Sequence, residues 1–163
     1  MDKIVGKKIK EMVATSFFVG YSPFMPGTMG TLVGVALYIF LSTFTIYFYI
    51  LVIAVLLVIA VWVSDYAEKH IFKIKDAPHI VIDETVGFLI AMTSFTFDRS
   101  LESIKYLVIG FILFRAFDIF KPYPIRDSQK IEGGFGIVID DFLAAVYTNL
   151  FLQFLRIFRF FKL

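Results

Sequence analysis

The chain has 163 residues, 59% of them hydrophobic, and a mean hydropathy of +0.82. A water-soluble fold of that size would expose too much apolar surface, so the expectation is one membrane-embedded domain over residues 1–163, all-α and polytopic. Its 16 Lys and Arg nearly balance 14 Asp and Glu, no nucleic-acid partner is expected, and the lack of cysteine excludes disulfides, thiolate metal ligands and cysteine nucleophiles.

Residues 1–13 carry Lys3, Lys7, Lys8 and Lys10 among Ile4, Ile9, Met12 and Val13. That pattern fits a basic amphipathic helix on an anionic leaflet, or equally a basic tail. No cleavable signal peptide is expected; the first apolar span would act as an uncleaved insertion signal. From Met12 to Ser64 there is no charged residue. The run is too long for one crossing, so a turn is expected at Ser42-Thr43, between a short segment from about Gly30 to Leu41 and a long one from about Phe44 to Val63. Ahead of the short segment, Ser22-Pro23-Phe-Met-Pro26-Gly27-Thr28-Met-Gly30-Thr31 reads as irregular backbone. Thr28 or Thr31 would cap the helix that follows, and its free N–H groups would suit a phosphate.

Asp65 to Ile82 reads as a polar loop of mostly solvated charges, with Asp65 and Lys69 paired at the wet end of the second helix. His70 and His79 read as surface or interface histidines. Asp83-Glu84 differs, because both carboxylates enter an apolar segment where an unpaired acid is costly. That segment is again short, about Thr85 to Ser94, and is followed by a longer one from about Leu101 to Phe120. A last apolar segment runs from about Ile137 to Leu155, making four to five in all, two of them partial spans. The short-then-long order occurs twice, as in folds that bring half-helix ends to a buried site. Bases concentrate in residues 1–13, 65–82 and 121–136, which the positive-inside rule assigns to the cytoplasm. The basic tail of Arg156, Arg159 and Lys162 fits that assignment less well.

The stretch from Arg115 to Asp141 holds the densest chemistry. Arg115, Asp118 and Lys121 follow one another at helical spacing, Pro122 stops the helix, and Arg126 lies just beyond. Gly133, Gly134 and Gly136 suggest a tight turn before Asp140-Asp141 open the last apolar run, where acids suit the positive end of a helix dipole. Asp83, Glu84, Asp118, Asp140 and Asp141 are hard oxygen donors gathered at one membrane face, a set suited to Mg2+. Arg115, Lys121 and Arg126 would hold phosphate, with Gly27, Thr28 and Thr31 adding N–H or hydroxyl donors. Together they fit phosphomonoester hydrolysis on a lipid, by water attack or through an aspartyl-phosphate. The competing class is a transporter using buried carboxylates for ion or proton coupling. Cysteine phosphatases, Asp-x-Asp phosphatases and paired-histidine lipid phosphatases are excluded by residues the chain lacks.

Three blocks then carry a resemblance. They are Gly20-x-x-Pro23-x-x-Pro26-Gly27-Thr28-x-Gly30-Thr31; Asp76 with Ile80-Val81-Ile82-Asp83-Glu84-x-x-Gly87; and Phe114-Arg115-x-x-Asp118-x-x-Lys121-Pro122-x-Pro124-Ile125 with Gly133-Gly134-x-Gly136-Ile137-x-x-Asp140-Asp141-x-x-Ala144. The chain resembles the bacterial phosphatidylglycerophosphatase A family, departing from it at Ala145, where glycine is usual. The resemblance implies removal of the terminal phosphate of phosphatidylglycerophosphate, a need for Mg2+, and a place in the cytoplasmic membrane among membrane lipids; the charge distribution is what turns the site to the cytoplasm.

Overall fold

The structure, a computed structural model, describes residues 2–128 and 130–158, and every regular element among them is helical. The chain folds as α1 (Asp2–Ala14), a 3-10 turn (Val19–Tyr21), α2 (Pro26–Leu41), α3 (Ile46–Tyr66) with a π-helical extension (Ala67–Phe72), α4 (Ile82–Ala91), α5 (Leu101–Phe120), α6 (Ile125–Ser128) and α7 (Gly133–Ile157). Two of these helices are long and apolar enough to cross a membrane, Ile46–Phe72 and Gly133–Ile157. Only 22% of the apolar window of the first is buried within the protein, so this is not the core helix of a water-soluble fold. Leu51, Val55, Val58 and Trp62 form an exposed apolar stripe along it. α5 has 20 residues, about 30 Å, but carries Glu102, Lys105, Arg115 and Asp118.

The ten-residue α4 is the centre of the bundle. All its residues except Glu84 and Ile90 are buried, and α2, α3, α5 and α7 pack around it. Because its C-terminal end is buried in the bundle, its last carbonyls must be satisfied by protein. Tyr49 of α3 donates its hydroxyl to Leu89 O at 2.6 Å, and the Asn149 amide of α7 donates to Ala91 O at 2.9 Å and Thr93 O at 2.7 Å. Near the other end of α4, the Thr85 hydroxyl bonds Gly30 O of α2 at 2.9 Å and Ser16 at 2.8 Å. Gly27, Gly30 and Gly34 line one face of α2, and a Cβ at Gly30 or Gly34 would collide with Val81, Thr85 or Phe88. The glycines let the two backbones touch.

Several boundaries differ from the sequence reading. Residues 2–14 form a helix, held to the end of α3 where Lys10 Nζ sits 3.7 Å over the Tyr66 ring. Residues 65–72 are helical rather than loop, since α3 runs on as a π-helical turn until Lys73, at φ 57°, breaks it. α2 starts earlier than expected, because Pro26 at its first position presets the helical φ and Met25 occupies the cap. Thr28 and Thr31 therefore lie inside the helix and cap nothing; Thr31 Oγ1 donates back to Gly27 O at 2.9 Å. α7 also starts early. Of the three glycines only Gly133 has a positive φ, whereas Gly134 packs in the helix against Val61 O and Gly136 against Ile131 O. The Asp65 carboxylate accepts the Gly134 N–H at 3.2 Å, so this acid, read as a solvated charge, caps α7. Asp140 and Asp141 consequently sit two turns inside α7 rather than in its first turn. Arg156 Nη1 bonds Ser94 O at 3.3 Å, which places that end of α7 beside the turn before α5; Arg159 and Lys162 lie outside the described residues.

Candidate active site

Four helix segments meet at one end of the bundle. α4 contributes Asp83 and Glu84 from its first turn, where the dipole favours carboxylates. α5 contributes Arg115 and Asp118 from its last two turns and Lys121 from its cap, at φ 44° just before Pro122, which cannot continue the helix. α7 contributes Asp140 and Asp141, and α2 its first residues, Pro26 and Gly27. Together they wall a cavity of about 410 Å³. Its lining also includes Asp76, so six carboxylates face two bases, Arg115 and Lys121.

The acids divide into two sets. Asp118 pairs with Arg115 at 2.6 Å and lies 3.9 Å from Lys121 Nζ, which in turn pairs with Asp140 at 2.5 Å. Asp83, Glu84 and Asp141 form a second cluster, each offering a carboxylate oxygen within 4.8 Å of the others, and Glu84 Oε1 also lies 3.9 Å from Arg115 Nη1. Asp83 Oδ1, Glu84 Oε2 and Asp141 Oδ2 are buried without a hydrogen-bond partner, as is Arg115 Nε. Buried acceptors of this kind are costly unless something positive fills the space between them. The donor set fits a hard divalent cation bound through oxygen.

The structure brings Asp83, Glu84, Asp118, Asp140, Asp141, Arg115 and Lys121 to one cavity. Gly27 lines it too, and a Cβ there would run into Glu84 Oε1 and lie 3.0 Å from Arg115 Nη2. Thr31 is buried behind this wall, 3.5 Å from Arg115 Nη1, and neither it nor Thr28 lines the cavity. Arg126 is exposed on α6 and is not brought to the cavity wall. Asp76 was not singled out as a site residue, because lysines surround it in sequence; its place in the same motif block as Asp83-Glu84 was the available signal. Its backbone sits at φ 49°, with its N–H bonded to Glu68 Oε2 at 3.0 Å. The segment carrying it is pinned by His79, whose Nδ1 lies 3.0 Å from Gly20 O and whose ring stacks on Tyr21. His79 is thus an interface residue, and His70 is exposed against Tyr66.

Fold and cavity define a helical protein with membrane-length apolar helices, whose site can hold a cation and an anion side by side. Residues 12–156 match the family profile of phosphatidylglycerophosphatase A. Among similar proteins are two named phosphatidylglycerophosphatase A, from Escherichia coli (31% identical, 88% of this chain and 81% of the relative) and Haemophilus influenzae (36%, 84% and 82%). A third, from Bacteroides thetaiotaomicron, is provisionally named a phosphatidylinositol-3-phosphatase (34%, 84% and 87%). No solved structure gave a significant match. The chain belongs to the phosphatidylglycerophosphatase A family.

Proposed function

We propose that the protein is a Mg2+-dependent lipid phosphatase that hydrolyses phosphatidylglycerophosphate to phosphatidylglycerol and inorganic phosphate. The observation that carries this reading is the trio Asp83, Glu84 and Asp141, each with one buried carboxylate oxygen that has no hydrogen-bond partner, beside Arg115 and Lys121 in one cavity. Six carboxylates against two bases would repel a phosphate, so the anion can enter only with a cation. The family relatives' names supply the substrate.

Asp83, Glu84 and Asp141 would hold Mg2+, which when bound supplies charge for the phosphoryl oxygens and acidifies a water molecule. Arg115 and Lys121 seat the phosphate oxygens, Arg115 with a free Nε to offer. Asp118 holds the Arg115 guanidinium in place, and Asp140 does the same for the Lys121 ammonium. A water oxygen bonds to phosphorus, the bond to the glycerol oxygen breaks, and that oxygen leaves protonated. Gly27, in the first turn of α2, lines the same space, where a helix N-terminus favours an anion.

The site lies on the side that carries the bases of residues 1–13, 65–82 and 121–136, which supports a cytoplasmic face in a bacterial cytoplasmic membrane. On this reading α2, α3, α4, α5 and α7 are the membrane segments, with α2 and α4 partial. A transporter would need acids near the middle of its long spans, and α3 has none before Asp65. The test is phosphate release from phosphatidylglycerophosphate in detergent micelles, with Mg2+ or with a chelator, alongside phosphatidylinositol-3-phosphate as a rival substrate. Mg2+-dependent release that favours the glycerol lipid is expected. No release from either by folded protein under any divalent ion would sink the proposal.

A further inference from the structure

The cavity has two mouths of different chemistry. On one side its rim includes Met25 and Ile119, which are 63% and 57% exposed. Phe24, Phe120 and Tyr123 stand beside them in sequence and are each at least 80% exposed. On the other side Asp76 and Asp140 are shared with an adjoining chamber of about 290 Å³, which Glu68 and Lys75 also line. One mouth is apolar, and the other is lined by Glu68, Lys75, Asp76 and Asp140 together with Ile131 and Ile137.

We propose that the gap between Met25 of α2 and Ile119 of α5 is a lateral portal for lipid. The acyl end of a lipid phosphomonoester lies against Met25, Ile119 and Phe120 while its phosphate reaches Arg115 and Lys121. Phosphate then leaves past Lys75, accompanied by a cation as on entry because Glu68, Asp76 and Asp140 line the same chamber. The inference rests on the phosphatase reading and adds to it the route and orientation of the substrate.

Ile119 directly follows Asp118 on α5, so lipid-facing surface and buried ion pair are one residue apart. On the opposite rim, Met25 at φ 45° precedes Pro26 and Gly27, and Gly27 is the residue against Glu84 and Arg115. A diacyl lipid entering here need not leave the bilayer, which avoids exposing each chain methylene to water. Large aromatic side chains at this level suit the headgroup region, where an apolar body and a polar rim coexist. The other mouth is more strongly charged: Lys75 offers a positive charge to a small anion, with Glu68, Asp76 and Asp140 beside it, and Ile131 and Ile137 are the apolar part of its lining.

The test uses the wild-type chain in phosphatidylcholine vesicles with a phosphonate analogue of phosphatidylglycerophosphate that resists hydrolysis and carries a diazirine near the top of one acyl chain. Irradiation should label peptides holding residues 24–26 and 119–120 several-fold more than the lipid-facing stripe at Val55 and Val58. Even labelling of all lipid-facing peptides overturns the portal. Because the chain has no cysteine, Met25→Cys, Ile119→Cys and Lys75→Cys each give a unique spin-label position. Labels at 25 and 119 should relax faster with lipid-soluble oxygen than with a water-soluble nickel chelate, and the label at 75 the reverse; the chelate prevailing at 25 and 119 rejects the proposal. Phosphate release by the wild-type vesicles separates the two readings. Release with even labelling removes the portal alone, and no release from any lipid phosphomonoester removes both.

Discussion

Lys121 Nζ lies 2.5 Å from Asp140 Oδ2, tying the residue that ends α5 to a carboxylate two turns inside α7. Burial by itself would lower the Lys121 pKa, but the Asp140 and Asp118 carboxylates more than offset it and leave it raised. The side chain therefore stays cationic across the physiological range, as a counter-charge to Asp140 and Asp118. With Arg115 and Asp118 it completes an alternating row of charge, Arg115, Asp118, Lys121, Asp140.

Lys121→Met should lower kcat/KM by roughly 10²–10³, the usual loss when one charge-stabilising group is removed. It should also destabilise the fold by leaving Asp140 unpaired. The double variant Lys121→Met/Asp140→Asn should be more stable than the sum of the singles, with a coupling of about 1 kcal/mol because the ammonium is partly solvated. Thermal unfolding of all four proteins in one detergent measures it, and strict additivity would show that the pair contributes nothing.

The division of the acids predicts two phenotypes. Asp83→Asn and Asp141→Asn should abolish the rise in unfolding temperature that Mg2+ gives the wild type, a linkage effect of about 2.7 kcal/mol at a hundredfold excess over Kd. Asp118→Asn should keep most of that rise while losing turnover, because it releases Arg115 and none of its own oxygens belongs to the trio. If all three variants lose the Mg2+ response equally, the division is wrong.

Much of this was legible in the chain. The turn at Ser42-Thr43, α5 at residues 101–120, and the adjacency of Arg115, Asp118 and Lys121 follow from apolar runs and helical spacing, both local properties. Glycines were misread, because a glycine that admits a neighbouring backbone looks the same in sequence as one that turns. Gly134 and Gly30 are defined by Val61 and Val81, which are far away in the chain. Asp65 and Asp76 were hidden for the same reason, their roles being set by Gly134 and by the cavity wall. Which of the five predicted acids would be ion-paired also depended on distances between helices, which spacing along one helix does not give.

Gly27 and Gly30 should separate chemistry from packing. A methyl at Gly27 meets the tip of Glu84 and the Arg115 guanidinium, flexible ends that can move, so Gly27→Ala should fold well and lose at least tenfold in turnover. At Gly30 the methyl meets Val81 Cβ at 2.7 Å and Val81 O at 2.8 Å, which would force α2 away from α4. Gly30→Ala should cost about 1–3 kcal/mol of stability, as overpacking does. Circular dichroism melts with initial rates distinguish the two, and equal stability losses would contradict the assignment.

The far end of α4 gives the control. Asn149 satisfies two carbonyls and Tyr49 a third, at the end of a ten-residue helix about 8–12 Å from its acids. Asn149→Leu leaves Ala91 O and Thr93 O without that donor where water is scarce, at about 1–3 kcal/mol for each unsatisfied group. Tyr49→Phe should cost about 1 kcal/mol. Because the two side chains bond different carbonyls, their losses should add, and both variants should keep wild-type kcat and KM while folded. A change in KM at unchanged stability would mean that α4 transmits strain along its axis to Asp83 and Glu84, so that its capped end sets the geometry of the site as well as the stability of the fold.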